Sequence, residues 1–181
     1  MRDYSIDELK AKFKELKYNW YSFHIIGIRS KQDAVNVFDD VLYLVDDDKL
    51  FKYQITTNPG THWLVNVMNP KGAAVLKPDQ YVNTWELGKH RGLYTALVQV
   101  KPVSVYRDNN KDNKSDETGA IDYGLFGINI HRSSENSIST FIDKWSAGCQ
   151  VFANGSQYKD FIKKCEASKL RYFTYSLLKE F

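Results

Sequence analysis

The chain's candidates for nucleophilic and acid–base chemistry are Cys149, Cys165, His24, His62, His90 and His131. Of these, His131 and Cys149 have the most suggestive surroundings. His131 closes the run Gly127-Ile128-Asn129-Ile130, where a strand holds the backbone while a side chain faces a cleft. Cys149 follows Gly148 in Ser146-Ala147-Gly148-Cys149, just ahead of another apolar segment. A glycine there lets substrate approach the backbone, and the N–H groups of Gly148 and Cys149 are expected at an oxyanion. A histidine within reach would take the thiol proton, because the thiolate is the nucleophile. Such a cysteine should react with iodoacetamide faster than Cys165, and at lower pH. Cys165 shares a helical register with Phe161 and Ile162 and reads as core. His24 lies inside an apolar run and reads as core, His62 follows a turn, and His90 sits between Lys89 and Arg91 in a glycine-bounded turn.

The order of residues excludes several classes. Papain-like hydrolases place the cysteine ahead of the histidine, and caspase-like proteases carry a different cysteine motif. A G-x-S-x-G elbow is absent. Two cysteines and four scattered histidines supply no zinc ligand set, so neither metal nor cofactor is expected. Asp108, Asn110 and Asp112 start like a calcium loop, but Asn113 stands where glycine is needed and Gly119 where a bidentate glutamate is needed. The segment 107–118 therefore reads as a polar loop.

Short apolar runs separated by turn residues must position the pair. Strands are expected over 23–28, 41–45, 50–55, 63–67, 81–87, 93–100, 103–106, 125–130, 147–152 and 171–178, with Asp46-Asp47-Asp48-Lys49 as a hairpin turn. Pro102 lacks a backbone donor and suggests that 103–106 lies at an edge or a bulge. A helix over 5–18 starts with the capping-box pair Ser5 and Glu8, and Ser156 is placed to cap a second helix near the other end. The expected fold is mainly β, a single domain over 1–181 with a helix near each terminus.

Composition supports that reading. The 181 residues are 43% hydrophobic, 26% charged and 14% aromatic, which excludes wholesale disorder and favours sheet. The net charge of +3, with no basic stripe beside the aromatics, argues against nucleic acid. No run approaches the roughly 20 apolar residues of a membrane span. The start MRDYSIDELK has no apolar core of a signal peptide, so cytoplasmic synthesis is expected, unless a leader was trimmed or another device exports the chain. Nothing suggests a symmetric interface, and a monomer is expected.

His131, a spacer of 14 residues and then Ser146-Ala147-Gly148-Cys149 resembles the signature of the L,D-transpeptidase (YkuD-like) catalytic domain, with the compact build of phage or prophage members. The motif covers residues 124–152. The resemblance implies a β-sandwich-like domain and acyl transfer or hydrolysis on peptidoglycan stem peptides through a Cys149 thioester, on the cell wall if the chain is exported or released. His131 would serve as base and then acid. The Arg132 backbone carbonyl would fix its tautomer, and Ser146 and Gly148 would shape the oxyanion turn. Trp145, Ala147 and Arg91 would meet substrate, with Arg91 and Arg132 on its carboxylates. Two departures stand out. The family's histidine ahead of the glycine is Ala147 here, and Gln150-Val151 follows the cysteine where the family usually has Arg or Asn nearby. The alternative is a wall-associated or phage binding module that keeps the fold without catalysis.

Overall fold

A computed structural model of the chain describes residues 2–31 and 35–181. Helix α1 (Ile6–Leu16) begins as the sequence predicts. Ser5 Oγ accepts the Glu8 N–H at 3.2 Å, and Glu8 Oε2 accepts the Ser5 N–H at 2.8 Å. Lys17 ends the helix in the left-handed region (φ 59°).

The helix lies over β1 (Phe23–Arg29) and β2 (Asp40–Asp46), which are antiparallel. Their pairing sets Ile25 opposite Leu44 and Gly27 opposite Leu42 on one face, and Ile26 opposite Tyr43 and Ile28 opposite Val41 on the other. The first face joins the main core; the second packs under Leu9 and Phe13 of α1. With both faces covered, the two strands are apolar without alternation. Burying Leu9 and Phe13 contributes about 1.5–3 kcal/mol each.

Strands β3 (Lys49–Thr56), β4 (Ala73–Leu76), β5 (Asp79–His90), β6 (Tyr94–Gln99), β7 (Val103–Asp108), β8 (Ala120–Gly124), β9 (Ile130–Arg132), β10 (Gln150–Phe152) and β11 (Phe173–Lys179) complete the sheets. The expected sandwich is corrected: eight strands close into a barrel in the order β1-β11-β5-β6-β9-β10-β3-β2. Two parallel pairs, β1 with β11 and β9 with β10, join the antiparallel runs and allow the ring to close. A separate three-stranded sheet, β4-β7-β8, packs on the same core. Helix α3 (Gly155–Ala167) buries Tyr158, Phe161, Ile162 and Cys165 against that core. No helix among the described residues is long and apolar enough to cross a membrane.

Four local expectations differ from the structure. Segment 63–67 is not a strand. Thr61–Val65 forms one helical turn, α2, in which the N–H groups of Trp63 and Leu64 bond to Gly60 O. A five-residue apolar run fits either period. Residues 125–129 are irregular because a side chain replaces the strand partner: Gln99 Oε1 accepts the N–H groups of Phe126 (3.1 Å) and Ile128 (2.9 Å). Strand β7 is central in its sheet, not an edge; Pro102 precedes the first paired residue, so its missing N–H removes no ladder bond. Helix α3 is capped by Asn154, whose Oδ1 accepts from Ser156 and Gln157, rather than by Ser156.

Candidate active site

The parallel pairing of β9 with β10 brings the motif together. Val151 lies opposite His131 and Gln150 opposite Ile130, so Cys149 sits beside the start of β9. His131 and Cys149 line one cleft of about 600 Å³. Trp145, Ala147 and Arg91 line it too.

The turn that carries Cys149 is tightly specified. Gly148 has φ +128°, and a Cβ there would lie 2.2 Å from Ala74 O of β4. Only glycine fits that conformation and that gap. Ser146 Oγ spans the turn, donating to Cys149 O at 2.8 Å and accepting the Gly148 N–H at 3.2 Å. The Gly148 amide is therefore taken up inside the turn and is not the free oxyanion donor expected of it. Beneath the turn, buried Gln150 donates from Nε2 to Gly148 O (3.4 Å) and accepts at Oε1 from Tyr175 OH (2.7 Å). Gly27 leaves the space that the Tyr175 hydroxyl fills, since a Cβ there would lie 1.9 Å from it.

His131 is buried, and its Nδ1 lies 2.8 Å from Arg132 O. A carbonyl only accepts, so Nδ1 carries the proton and Nε2 is left as the basic nitrogen. Tyr94 OH donates to the same carbonyl at 3.1 Å and lies 3.2 Å from Nδ1. Burial pushes the imidazole down to about 3, helped by His90, Arg91 and Arg132 and opposed by the Arg132 carbonyl.

The thiol of Cys149 accepts the Asn129 N–H at 3.4 Å and donates to Gly127 O at 3.4 Å. Burial pushes it up to about 11, against the Asn129 N–H and Arg91, which favour the thiolate. Both shifts favour a neutral thiol and a neutral imidazole at rest in the cleft that the two residues line. Burial raises the Cys165 thiol further, which keeps Cys149 the cysteine expected to react at the lower pH. Cys165 is fully buried in α3 and its thiol is pushed up by burial.

The expected cations separate. Arg91 is exposed at the lip of the cleft, in the turn between β5 and β6. Arg132 offers its backbone, but its guanidinium lies 4.2 Å over the Tyr94 ring and pairs with Glu135 at 3.1 Å. Arg91 lines the cleft and Arg132 does not. Arg107, which sequence reasoning placed in a loop, is nearly buried in β7 and lines the cleft. It donates to Gly72 O (3.2 Å) and Asp122 (3.3 Å), and its Cζ lies over the Phe126 ring, 4.7 Å from the centroid. Lys144 adds a third cation, and no carboxylate lines the cleft among the described residues. No group of three or more His, Cys, Asp or Glu among the described residues is arranged to hold a metal.

His24 is fully buried, with Nε2 3.0 Å from Ser176 Oγ, and His62 lies on α2 against Trp63. His90 is not a turn residue. It is the last residue of β5, paired with Tyr94 across the hairpin, and it lines the cleft. The one available sequence signal was its place directly before Arg91-Gly92, the turn that sets it opposite Tyr94. No family model, curated protein or solved structure matches the chain.

Proposed function

We propose that the chain is a cysteine acyltransferase or peptidase of the L,D-transpeptidase type, acting on peptidoglycan stem peptides. The observation that carries this reading is the tautomer of His131: a backbone carbonyl holds Nδ1–H, leaving Nε2 as base in the cleft that Cys149 lines. A neutral imidazole can accept a proton where an imidazolium cannot.

In the proposed reaction, Sγ attacks the carbonyl of the third stem residue while its proton passes to His131 Nε2. The imidazolium gains from the Arg132 carbonyl at Nδ1. Collapse of the adduct breaks the C–N bond, His131 returns the proton to the leaving D-alanine amine, and a thioester remains. An amine from a second stem then gives a cross-link; water gives the shortened stem. The carboxylates of such stems match a cleft lined by Arg91, Lys144 and the Asp122-paired Arg107, with no carboxylate in its lining among the described residues.

The test is mass spectrometry of a tetrapeptide-stem muropeptide incubated with the wild type and with Cys149→Ala. Loss of D-alanine or a cross-linked dimer in the wild type alone supports the reading. A folded wild type that gives neither a mass change nor an acyl-enzyme would overturn it in favour of a wall-associated binding module.

A further inference from the structure

The mechanism above leaves one chemistry-bearing group of the cleft unused. The ring of His90 stacks on that of His131, with centroids 4.0 Å apart and planes at 20°. Its Nδ1 lies 3.1 Å from Asn129 Nδ2. Asn129 is oriented by its other atom, since Oδ1 accepts the Gln99 N–H at 3.0 Å. The Nδ2 group must therefore donate, and His90 Nδ1 must accept. A neutral ring that accepts at Nδ1 carries its proton at Nε2, on the edge away from Asn129. Protonating Nδ1 would set two donors against each other. Burial and the charge of Arg91 disfavour protonation as well. Asn129, which orients His90, also donates its backbone N–H to the Cys149 thiol. The N–H donor is thus registered to the nucleophile through a single residue. The amide of Gly148, meanwhile, is occupied by Ser146 Oγ.

We infer that His90 donates its Nε2–H to the oxygen of the carbonyl that Cys149 attacks, so that the β5–β6 hairpin supplies a side-chain donor of the oxyanion site. The inference rests on reading Cys149 as an acylated nucleophile. As the S–C bond forms, the carbonyl π pair moves to oxygen, and His90 holds that charge by hydrogen bond while keeping its own proton. The thiol proton goes to His131. When the C=O re-forms, the leaving group departs with its electron pair, and His90 is unchanged. A preorganised donor of this kind is worth about 10²–10³ in rate.

Two reactions at the same sulfur separate this role from a structural one. Acylation of Cys149 by p-nitrophenyl acetate passes through an oxyanion. Alkylation by iodoacetamide, a displacement at a saturated carbon, does not. His90→Phe keeps a ring against His131 and removes the N–H. The variant should acylate about 10²-fold more slowly than the wild type while its alkylation stays within about twofold at each pH, with Cys149→Ala as the blank. Should His90→Phe not fold, His90→Leu is read the same way. Parallel losses in the two reactions would make His90 a support for His131 only and overturn the inference, as would unchanged acylation. Muropeptide turnover separates the two readings. Ester acylation that depends on His90 in a protein inert to muropeptides removes the wall substrate and keeps the donor; muropeptide turnover with a His90-independent ester reaction does the reverse.

Discussion

The imidazole of His131 is fixed at Nδ1 by the carbonyl of its own neighbour, Arg132, 2.8 Å away, in a contact that Tyr94 OH shares. The proposed base is thus oriented by backbone, and no carboxylate among the described residues takes the third place of the familiar triad. The proton affinity of the pair is set by burial and by the cations around it.

The resting thiol should show this directly. With Cys149 pushed up to about 11, its alkylation by iodoacetamide in the free protein should climb steadily from neutral into alkaline pH. It should remain ahead of Cys165, which is fully buried in α3. A plateau at neutral pH in the rate profile would show a preformed thiolate and contradict this arrangement.

Acid should destabilise the fold early. Burial pushes His24 down to about 3 from 6.5. Below about pH 6.5 the unfolded chain takes up a proton that the folded chain refuses, so stability falls as pH falls through this window. Asp40 acts with the opposite sign. Burial raises it to about 6, so the folded chain binds the extra proton and gains stability as pH falls. His24→Leu isolates the first effect, because Ser176 Oγ keeps Gln80 Nε2 as a partner at 3.2 Å. The slope of stability between about pH 6.5 and about pH 5 should shrink by up to about 1.4 kcal/mol per unit in urea titrations. Equal slopes in the two proteins would refute the assignment.

Tyr175→Phe should reach the active turn from inside the barrel. It leaves Gln150 Oε1 buried without its 2.7 Å donor, at a cost of about 1–3 kcal/mol. Gln150 also holds Gly148 O, so Cys149 alkylation should change together with denaturant stability. A stability loss that leaves the alkylation rate untouched would separate the two.

Arg91→Ala should weaken binding of a carboxylate-bearing stem about tenfold, chiefly through KM, with an effect that fades as salt rises. The residue is exposed at the lip, so the fold should be unaffected. Unchanged affinity at low salt would remove Arg91 from the substrate site.

The legible part of this site was the local part. His131 and Cys149 lie within one strand–loop–strand passage, and the parallel register of β9 on β10 turns their spacing into proximity. His90 and Tyr94 were illegible because they arrive on a hairpin that meets β9 through one residue pair, Leu97 with Ile130. Nothing in the spacing between 90 and 131 encodes that contact. Segment 125–129 misled for a related reason. Its apolar pattern suits a strand, but the partner that satisfies its amides is the side chain of Gln99, invisible to periodicity. Barrel closure depends on the parallel pairing of β1 with β11, at opposite ends of the chain, and short alternating runs are equally consistent with a sandwich.

The missing Cβ of Gly148, against Ala74 O, places Cys149 at a seam. One side of the turn continues into the barrel; the other abuts a sheet that shares no strand with it. Alignment of the sulfur is thus a property of assembly rather than of either sheet. A lesion in β4 or β7 would therefore reach the Cys149 turn as well as the core that this sheet shares with the barrel.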